Sequence, residues 1–148
     1  MIDPSHFAKD MFRICALAMS DAARLQHPCV GTEHFLSAIM GDVDNGAKRA
    51  LERMGVTGAK VLHQLLILQI PLSRNTPPLE LSPIADKVLV KALEEQLARG
   101  DLQLSSEHLL LAMCVETCAA ADMLRAIGAS PENVRAAVLA QLRERKPT

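Results

Sequence analysis

Apolar residues recur every three or four positions along most of this chain, which is the spacing of one face of an α-helix. In the first half such a face is formed by Phe7, Met11, Ile14, Ala18, Ala22 and Leu25. In the second half it is formed by Val88, Leu89, Ala92, Leu93 and Leu97. The pattern predicts eight helices, at about residues 4–25, 32–40, 45–54, 57–69, 83–98, 106–114, 117–127 and 131–144.

Residues that suit helix ends stand at the borders of these segments. Three N-capping residues precede a proline, which needs no N–H at the first helical position: Asp3-Pro4, Ser82-Pro83 and Ser130-Pro131. Further candidate N-caps are Thr32, Thr57 and Ser106. Glycines stand where four helices are expected to stop, namely Gly41, Gly55, Gly100 and Gly128.

The two halves repeat one another. Gly31-Thr32-Glu33-His34-Phe35-Leu36 is echoed by Ser105-Ser106-Glu107-His108-Leu109-Leu110, at an offset of 74 residues that slips to 73 after the second helix. A proline-rich linker at about residues 70–80 separates repeat one, about 7–66, from repeat two, about 81–142. We therefore expect a single all-α domain over residues 1–148, in which two four-helix repeats pack through a pseudo-two-fold axis.

The amino-acid composition favours a helical fold and excludes some classes of function. Hydrophobic residues make up 49% of the chain and aromatic residues only 2%, so the core is expected to consist of Leu, Ala, Val, Ile and Met. The net charge is −1 and no basic stripe is visible, which argues against nucleic-acid binding.

The four cysteines are expected to be free thiols in a reducing compartment. The start of the chain lacks the features of a signal peptide, and its apolar runs are too short to span a bilayer. These observations predict a cytoplasmic protein without membrane partners.

The motifs and their order resemble the N-terminal repeat domain of Clp-type AAA+ unfoldases, of the ClpA, ClpC and ClpB kind. The first half is similar to that family in a phenylalanine, a long helix, a histidine and a Gly-Thr-Glu-His motif, which stand here as Phe7, Leu17, Ala18, Leu25, His27 and residues 31–36. The second half is similar in a Thr-Pro-x-Ala-x-x-Val-Leu motif, here residues 82–89. The resemblance covers about residues 7–142. The motifs stand in the same order and spacing as in the family, and they occur in both halves of the chain.

This resemblance implies a non-catalytic module without cofactors. It would dock substrate or adaptor proteins for a Clp-type AAA+ ATPase and its protease, as an excised N-domain or a free-standing modulator. In some ClpC-like members the motif glutamates help to hold a phosphorylated arginine, beside a helix-capping threonine. Carried onto this chain, the candidate peptide-binding residues are Glu33, Glu107, Ser82, Thr32 and Ser106.

The resemblance also indicates which of the two motif glutamates is the stronger candidate for binding. The capping hydroxyl is kept by Ser82 in the second half, whereas Ala8 lacks it in the first. Glu107→Ala is therefore expected to weaken peptide capture more than Glu33→Ala, and to leave the melting temperature nearly unchanged. Both glutamates are expected at the rims of an apolar groove between the repeats.

No catalytic or metal-binding constellation is apparent in the sequence. The segment from Gly41 to Lys48 lacks the Gly-Lys-Ser/Thr end of a phosphate-binding loop and fails the spacing of an EF-hand. His34 and His108 are expected to be buried residues that fix helix starts, and Cys114 and Cys118 to be core residues rather than zinc ligands. The alternatives to a Clp docking module are a small helical enzyme and a helical interaction domain unrelated to proteolysis.

Overall fold

A computed structural model describes residues 4–68, 70 and 80–145, and in this part of the chain the fold is all-helical. A 3-10 turn at Pro4–His6 precedes eight α-helices. These are α1 (Lys9–Arg24), α2 (Thr32–Gly41), α3 (Gly46–Arg53), α4 (Gly58–Ile67), α5 (Pro83–Arg99), α6 (Ser106–Val115), α7 (Ala119–Ile127) and α8 (Pro131–Arg145). The predicted fold class is confirmed. The prolines of the predicted linker lie outside the described residues.

Three of the predicted N-caps form as expected, and a fourth, Asp3, lies outside the described residues. The Ser82 hydroxyl accepts the Ala85 N–H at 3.1 Å, and the Thr57 hydroxyl accepts the Lys60 N–H at 3.2 Å. The Ser130 hydroxyl accepts the Asn133 N–H at 3.3 Å. These bonds satisfy donors that have no partner within their own helix, which explains why the helices start where the sequence places them.

The first helix begins later than predicted. The sequence indicates a start at residue 4, but Ala8 is the N-cap of α1 and makes no side-chain capping bond. The cause is a pairing with the second repeat: the Ala8 N–H donates to the Leu104 carbonyl, and the Leu104 N–H donates to the His6 carbonyl, both at 2.8 Å. This pairing holds Ala8 in an extended conformation and separates α1 from the 3-10 turn.

Two predicted N-caps have a different role. Thr32 and Ser106 are the first residues of α2 and α6, and each hydroxyl caps a helix of the other repeat. The Ala120 N–H near the start of α7 donates to Thr32 Oγ1 at 3.1 Å. The Ala47 N–H near the start of α3 donates to Ser106 Oγ at 3.2 Å. Each repeat thus caps one helix of the other, as expected for two halves related by a pseudo-two-fold axis.

The second helix of each repeat forms the centre of the molecule. Both α2 and α6 contact six other helices, and α6 is buried at every residue from Ser106 to Met113. The buried apolar side chains of both repeats form one continuous cluster. Within the described residues, no helix combines the length and apolar character needed to cross a bilayer.

Candidate functional site

Helix N-termini meet in pairs at two junctions, and each pair takes one helix from each repeat. At the α2–α5 junction, the Val30 N–H donates to the Glu80 carbonyl at 2.9 Å and the Ser82 N–H donates to the Val30 carbonyl at 2.8 Å. At the α1–α6 junction, Ala8 and Leu104 make the equivalent bonds described above. Because helix N-termini carry partial positive charge and free N–H groups, each junction suits an anionic group.

The junctions change the expected pairing of the site residues. The sequence pairs Ser82 with Glu107, because both belong to the second repeat. The structure instead places Ser82 beside the start of α2, which carries Glu33, and Ala8 beside the start of α6, which carries Glu107. The expected pairing is wrong because it assumes that each repeat forms its own site, whereas the junctions cross between repeats.

Glu33 remains accessible at the α2–α5 junction. Its side chain is 15% exposed, and one carboxylate oxygen lies 3.5 Å from Nδ1 of His34. The carboxylate folds back over Gly31: a Cβ atom added there would lie only 2.2 Å from Oε1 of Glu33. Gly31 is therefore required for this position of the carboxylate, at the start of the helix whose preceding residue Val30 pairs with Glu80 and Ser82.

Glu107 is buried at the α1–α6 junction. The residue is 1% exposed, and Gln141 Nε2 donates to both Glu107 Oε2 and the Gly46 carbonyl at 2.8 Å. A Cβ atom at Gly46 would lie 2.4 Å from the Glu107 carboxyl carbon. This glutamate contributes to the internal structure. The expected position at an open rim, and the expected neutrality of Glu107→Ala for stability, are both corrected.

A cavity of about 640 Å³ lies beside Glu107. Its lining residues belong to the N-terminal turn, the start of α6 and the end of α8, and are Ser5, His6, Ala8, Asp101, Leu102, Gln103, Ser105, Glu107, His108 and Leu142. Its lining contains two carboxyl groups, those of Asp101 and Glu107, while Ala8 offers no hydroxyl at the start of α1.

Two glycines account for the different positions of the glutamates. Gly31 in the first repeat corresponds to Ser105 in the second, and Gly46 corresponds to Ala119. The glutamate of each repeat occupies the space that a missing Cβ provides, over Gly31 in one case and against Gly46 in the other. Sequence reasoning missed Gly46 and Gln141, although the Gly46 and Ala119 difference between repeats was a visible signal.

The two motif histidines fix the starts of their helices, as predicted. The Gly31 N–H donates to His34 Nδ1 at 2.9 Å, and the Ser105 N–H donates to His108 Nδ1 at 3.0 Å. The Nε2 atoms of the two histidines have different partners. His34 Nε2 lies 2.7 Å from His27 Nδ1, and His108 Nε2 lies 2.7 Å from Asp101 Oδ2. Burial and the neighbouring His27 lower the pKa of His34 to about 4.

Burial disfavours the thiolate form of three cysteines, Cys15, Cys29 and Cys114. Burial raises the pKa of Cys15 to about 11 and that of Cys114 to about 12, so both thiols stay protonated near neutral pH. Cys114 and Cys118 do not share a helix, because α6 ends at Val115 and Cys118 is the N-cap of α7. All four cysteines are free thiols.

Comparisons with known proteins agree with this architecture. The family described as Clp repeat (R) N-terminal domain matches residues 6–127. The chain is 32% identical, over 149 aligned positions, to the chloroplastic chaperone protein ClpC2 of Oryza sativa subsp. japonica, and the alignment covers 93% of this chain and 15% of the rice protein. The chain therefore spans only about 15% of the length of such relatives.

Solved structures show the same fold. The N-terminal domain of the chaperone ClpD from Arabidopsis thaliana superimposes with a TM-score of 0.78 at 19% identity, over 96% of this chain and 97% of that domain. A ClpV N-domain in complex with a VipB peptide superimposes with a TM-score of 0.68 at 18% identity, over 88% and 83% of the two chains.

Proposed function

Because the chain belongs to the family of Clp repeat N-terminal domains, we propose that it is a non-catalytic docking module for polypeptides. It binds substrates or adaptors of a Clp-type ATP-dependent unfoldase–protease system, whose AAA+ ATPase and protease are its functional partners. The free thiols suit a reducing compartment, and the proposal places the protein in the cytoplasm.

The observation that carries this proposal is the α2–α5 junction. It combines an accessible carboxylate, Glu33, with the N-terminus of a long helix capped by Ser82. A carboxylate can bind a guanidinium group through two hydrogen bonds, and a helix N-terminus can bind a phosphate. Both groups occur together in a phosphorylated arginine, which makes this side chain the proposed ligand.

Support also comes from a structural relative. The ClpV N-domain, which shares this fold, has been solved with a bound peptide. Peptide recognition is thus compatible with a scaffold of this shape. The α1–α6 junction is the weaker candidate in this chain, because Glu107 is held inside by Gln141 and Ala8 lacks a hydroxyl. This reverses the ranking expected from the sequence.

The test is a binding titration with a short fluorescent peptide that carries one phosphoarginine, and with the same peptide carrying arginine. We expect the chain to prefer the phosphorylated peptide, because it engages both parts of the junction. Glu33→Gln and Ser82→Ala should each weaken binding about tenfold, the loss of one charge-assisted hydrogen bond. Anisotropy measures the affinity.

Glu52→Gln provides the matched control, since Glu52 is an exposed carboxylate on α3, away from the junction. The affinity of this variant for the phosphorylated peptide should equal that of the parent chain. Equal affinity of the parent, Glu33→Gln and Ser82→Ala for the phosphorylated peptide would contradict the proposed site.

A further inference from the structure

Helix α4 presents an unusual apolar face to solvent. Leu62, Leu66 and Ile67 are 47%, 60% and 56% exposed, and Ala59 and His63 lie on the same face. Their spacing is that of a single helical stripe. The opposite face of α4 is already buried through Val61 and Leu65. We name the exposed stripe formed by Ala59, Leu62, His63, Leu66 and Ile67 the α4 patch.

A cleft runs beside this patch. Helices α4 and α7 contact one another, and between them lies a cavity of about 390 Å³ lined by Ala59, Lys60, His63, Gln64, Ala126 and Ile127. Its lining combines three short or apolar side chains, Ala59, Ala126 and Ile127, with three polar ones. A stripe of leucines next to such a cleft has the form of the grooves that receive amphipathic helices.

The second repeat shows that the fold does not need this apolar face. Helix α8 is the counterpart of α4, and its buried residues Val134 and Val138 correspond to Val61 and Leu65. At the position of Leu62, however, α8 carries Arg135, which forms an ion pair with Glu95 at 2.8 Å. Equivalent positions of the two repeats therefore differ: Arg135 forms an ion pair in the second repeat, whereas Leu62 is an exposed apolar side chain in the first.

The charges around the α4 patch specify the partner. Lys60 and His63 are exposed on α4, and α4 itself carries no Asp or Glu. On α7, Asp122 and Arg125 form an ion pair with each other at 3.0 Å and leave no net charge. A complementary surface would therefore carry apolar residues flanked by carboxylates.

We propose that the α4 patch is a docking surface for an acidic amphipathic helix of a protein partner. Leucine-type side chains of that helix cover Leu62, Leu66 and Ile67 and enter the cleft against Ala126 and Ile127. Its carboxylates face Lys60 and His63. This surface is separate from the α2–α5 junction, so one domain can hold a substrate side chain and a second protein at the same time.

The experiment titrates the 15N-labelled chain with a synthetic helical peptide that has leucines at positions i, i+3, i+4 and i+7 and glutamates elsewhere. A twin peptide carries lysines in place of the glutamates. We expect the acidic peptide to shift the amide signals of α4 and of Ala126 and Ile127. The lysine twin should bind at least tenfold more weakly, because Lys60 repels it.

Two variants test the assignment. Leu62→Ser, which removes an apolar side chain without adding charge, should weaken the acidic peptide about tenfold or more while the circular dichroism spectrum is retained. Lys60→Glu should reverse the preference toward the lysine twin. Val43→Ser is the matched control, since Val43 is 89% exposed in the loop between α2 and α3, and should bind like the parent.

Several results would overturn the proposal. These are equal binding of both peptides, amide shifts confined to other helices, or self-association of the chain through α4 in sedimentation experiments. Binding to phosphatidylglycerol vesicles that Leu62→Ser abolishes, without binding of the acidic peptide, would assign the patch to a lipid surface instead. The phosphoarginine peptide should not compete, which keeps this test independent of the α2–α5 junction.

Discussion

Single glycines decide where the two motif glutamates lie. The motif itself predicts equivalent glutamates in the two repeats, but Glu33 lies over Gly31 while Glu107 lies against Gly46. The identity of the candidate residues could be predicted from the sequence, because the motif is local. Their exposure could not, because Glu107 is covered by Gln141, a residue 34 positions away whose role depends on tertiary packing.

Gly46→Ala tests the position of Glu107. The new Cβ would lie 2.4 Å from the Glu107 carboxyl carbon, so the buried carboxylate and its bond with Gln141 must shift. We expect the free energy of unfolding to fall by about 1–3 kcal/mol, as in other overpacked interiors. Chemical denaturation measures the change.

Gly41→Ala is the control for that substitution. Gly41 is the last residue of α2, and no atom lies within 4 Å of an added Cβ. Alanine favours the helix there, so stability should stay the same or rise slightly. Equal destabilisation by both substitutions would mean that contact with Glu107 is not the cause.

At the scale of the element, the N-terminus of α2 depends on a pair of neutral histidines. His34 Nδ1 accepts a hydrogen bond from the Gly31 N–H, so the proton of the neutral His34 ring is on Nε2. That Nε2–H donates to His27 Nδ1. A proton added to either ring breaks one of these bonds. In the second repeat Asp101 takes the place of His27, so the equivalent bond is made to a carboxylate.

This arrangement predicts that acid destabilises the first repeat. Burial lowers the pKa of His27, and burial together with His27 lowers that of His34 to about 4, while Glu33 is the charged neighbour that opposes the shift at His27. The unfolded chain therefore binds more protons below about pH 6.5. Stability is complete above that pH and falls as the pH drops toward 4.

His27→Asp measures this contribution. It copies the pairing of the second repeat, in which an aspartate accepts the histidine N–H, and an adjacent carboxylate favours the protonated imidazole. We expect the melting temperature of this variant to fall less between pH 7 and pH 5 than that of the parent. An identical pH profile for the two proteins would show that the histidine pair does not control acid stability.

Most helices could be predicted because their caps and apolar spacing are local signals. The start of α1 could not, since the backbone at Phe7 and Ala8 is held by Leu104, about a hundred residues later in the chain. The crossed pairing of Ser82 with the Glu33 helix was missed for the same reason. Local patterns indicate which segments are helical, but contacts between repeats determine which helix ends meet.

For the whole molecule, the two repeats stabilise each other. They share one apolar cluster, and Thr32 and Ser106 cap helices of the opposite repeat. The duplication in the sequence predicted two packed halves, and the structure adds that neither half has a complete set of helix caps. A half of this size is of marginal stability by itself, and separation would also uncover its central helix.

We therefore expect fragments 1–68 and 80–148 to be largely unfolded when separate. Mixed together in equal amounts, they should regain helical structure, because each supplies the missing caps and the missing face of the core. Circular dichroism of the separate and mixed fragments measures this. A cooperative thermal transition in either isolated fragment would contradict mutual stabilisation.

We propose that this domain docks polypeptides where helix N-termini of the two repeats meet. An NMR titration of the 15N-labelled chain with the phosphoarginine peptide tests this docking. We expect amide shifts concentrated at residues 31–34 and 82–86, on both sides of the α2–α5 junction. Shifts that leave this junction unchanged, or a titration without any shift, would contradict it.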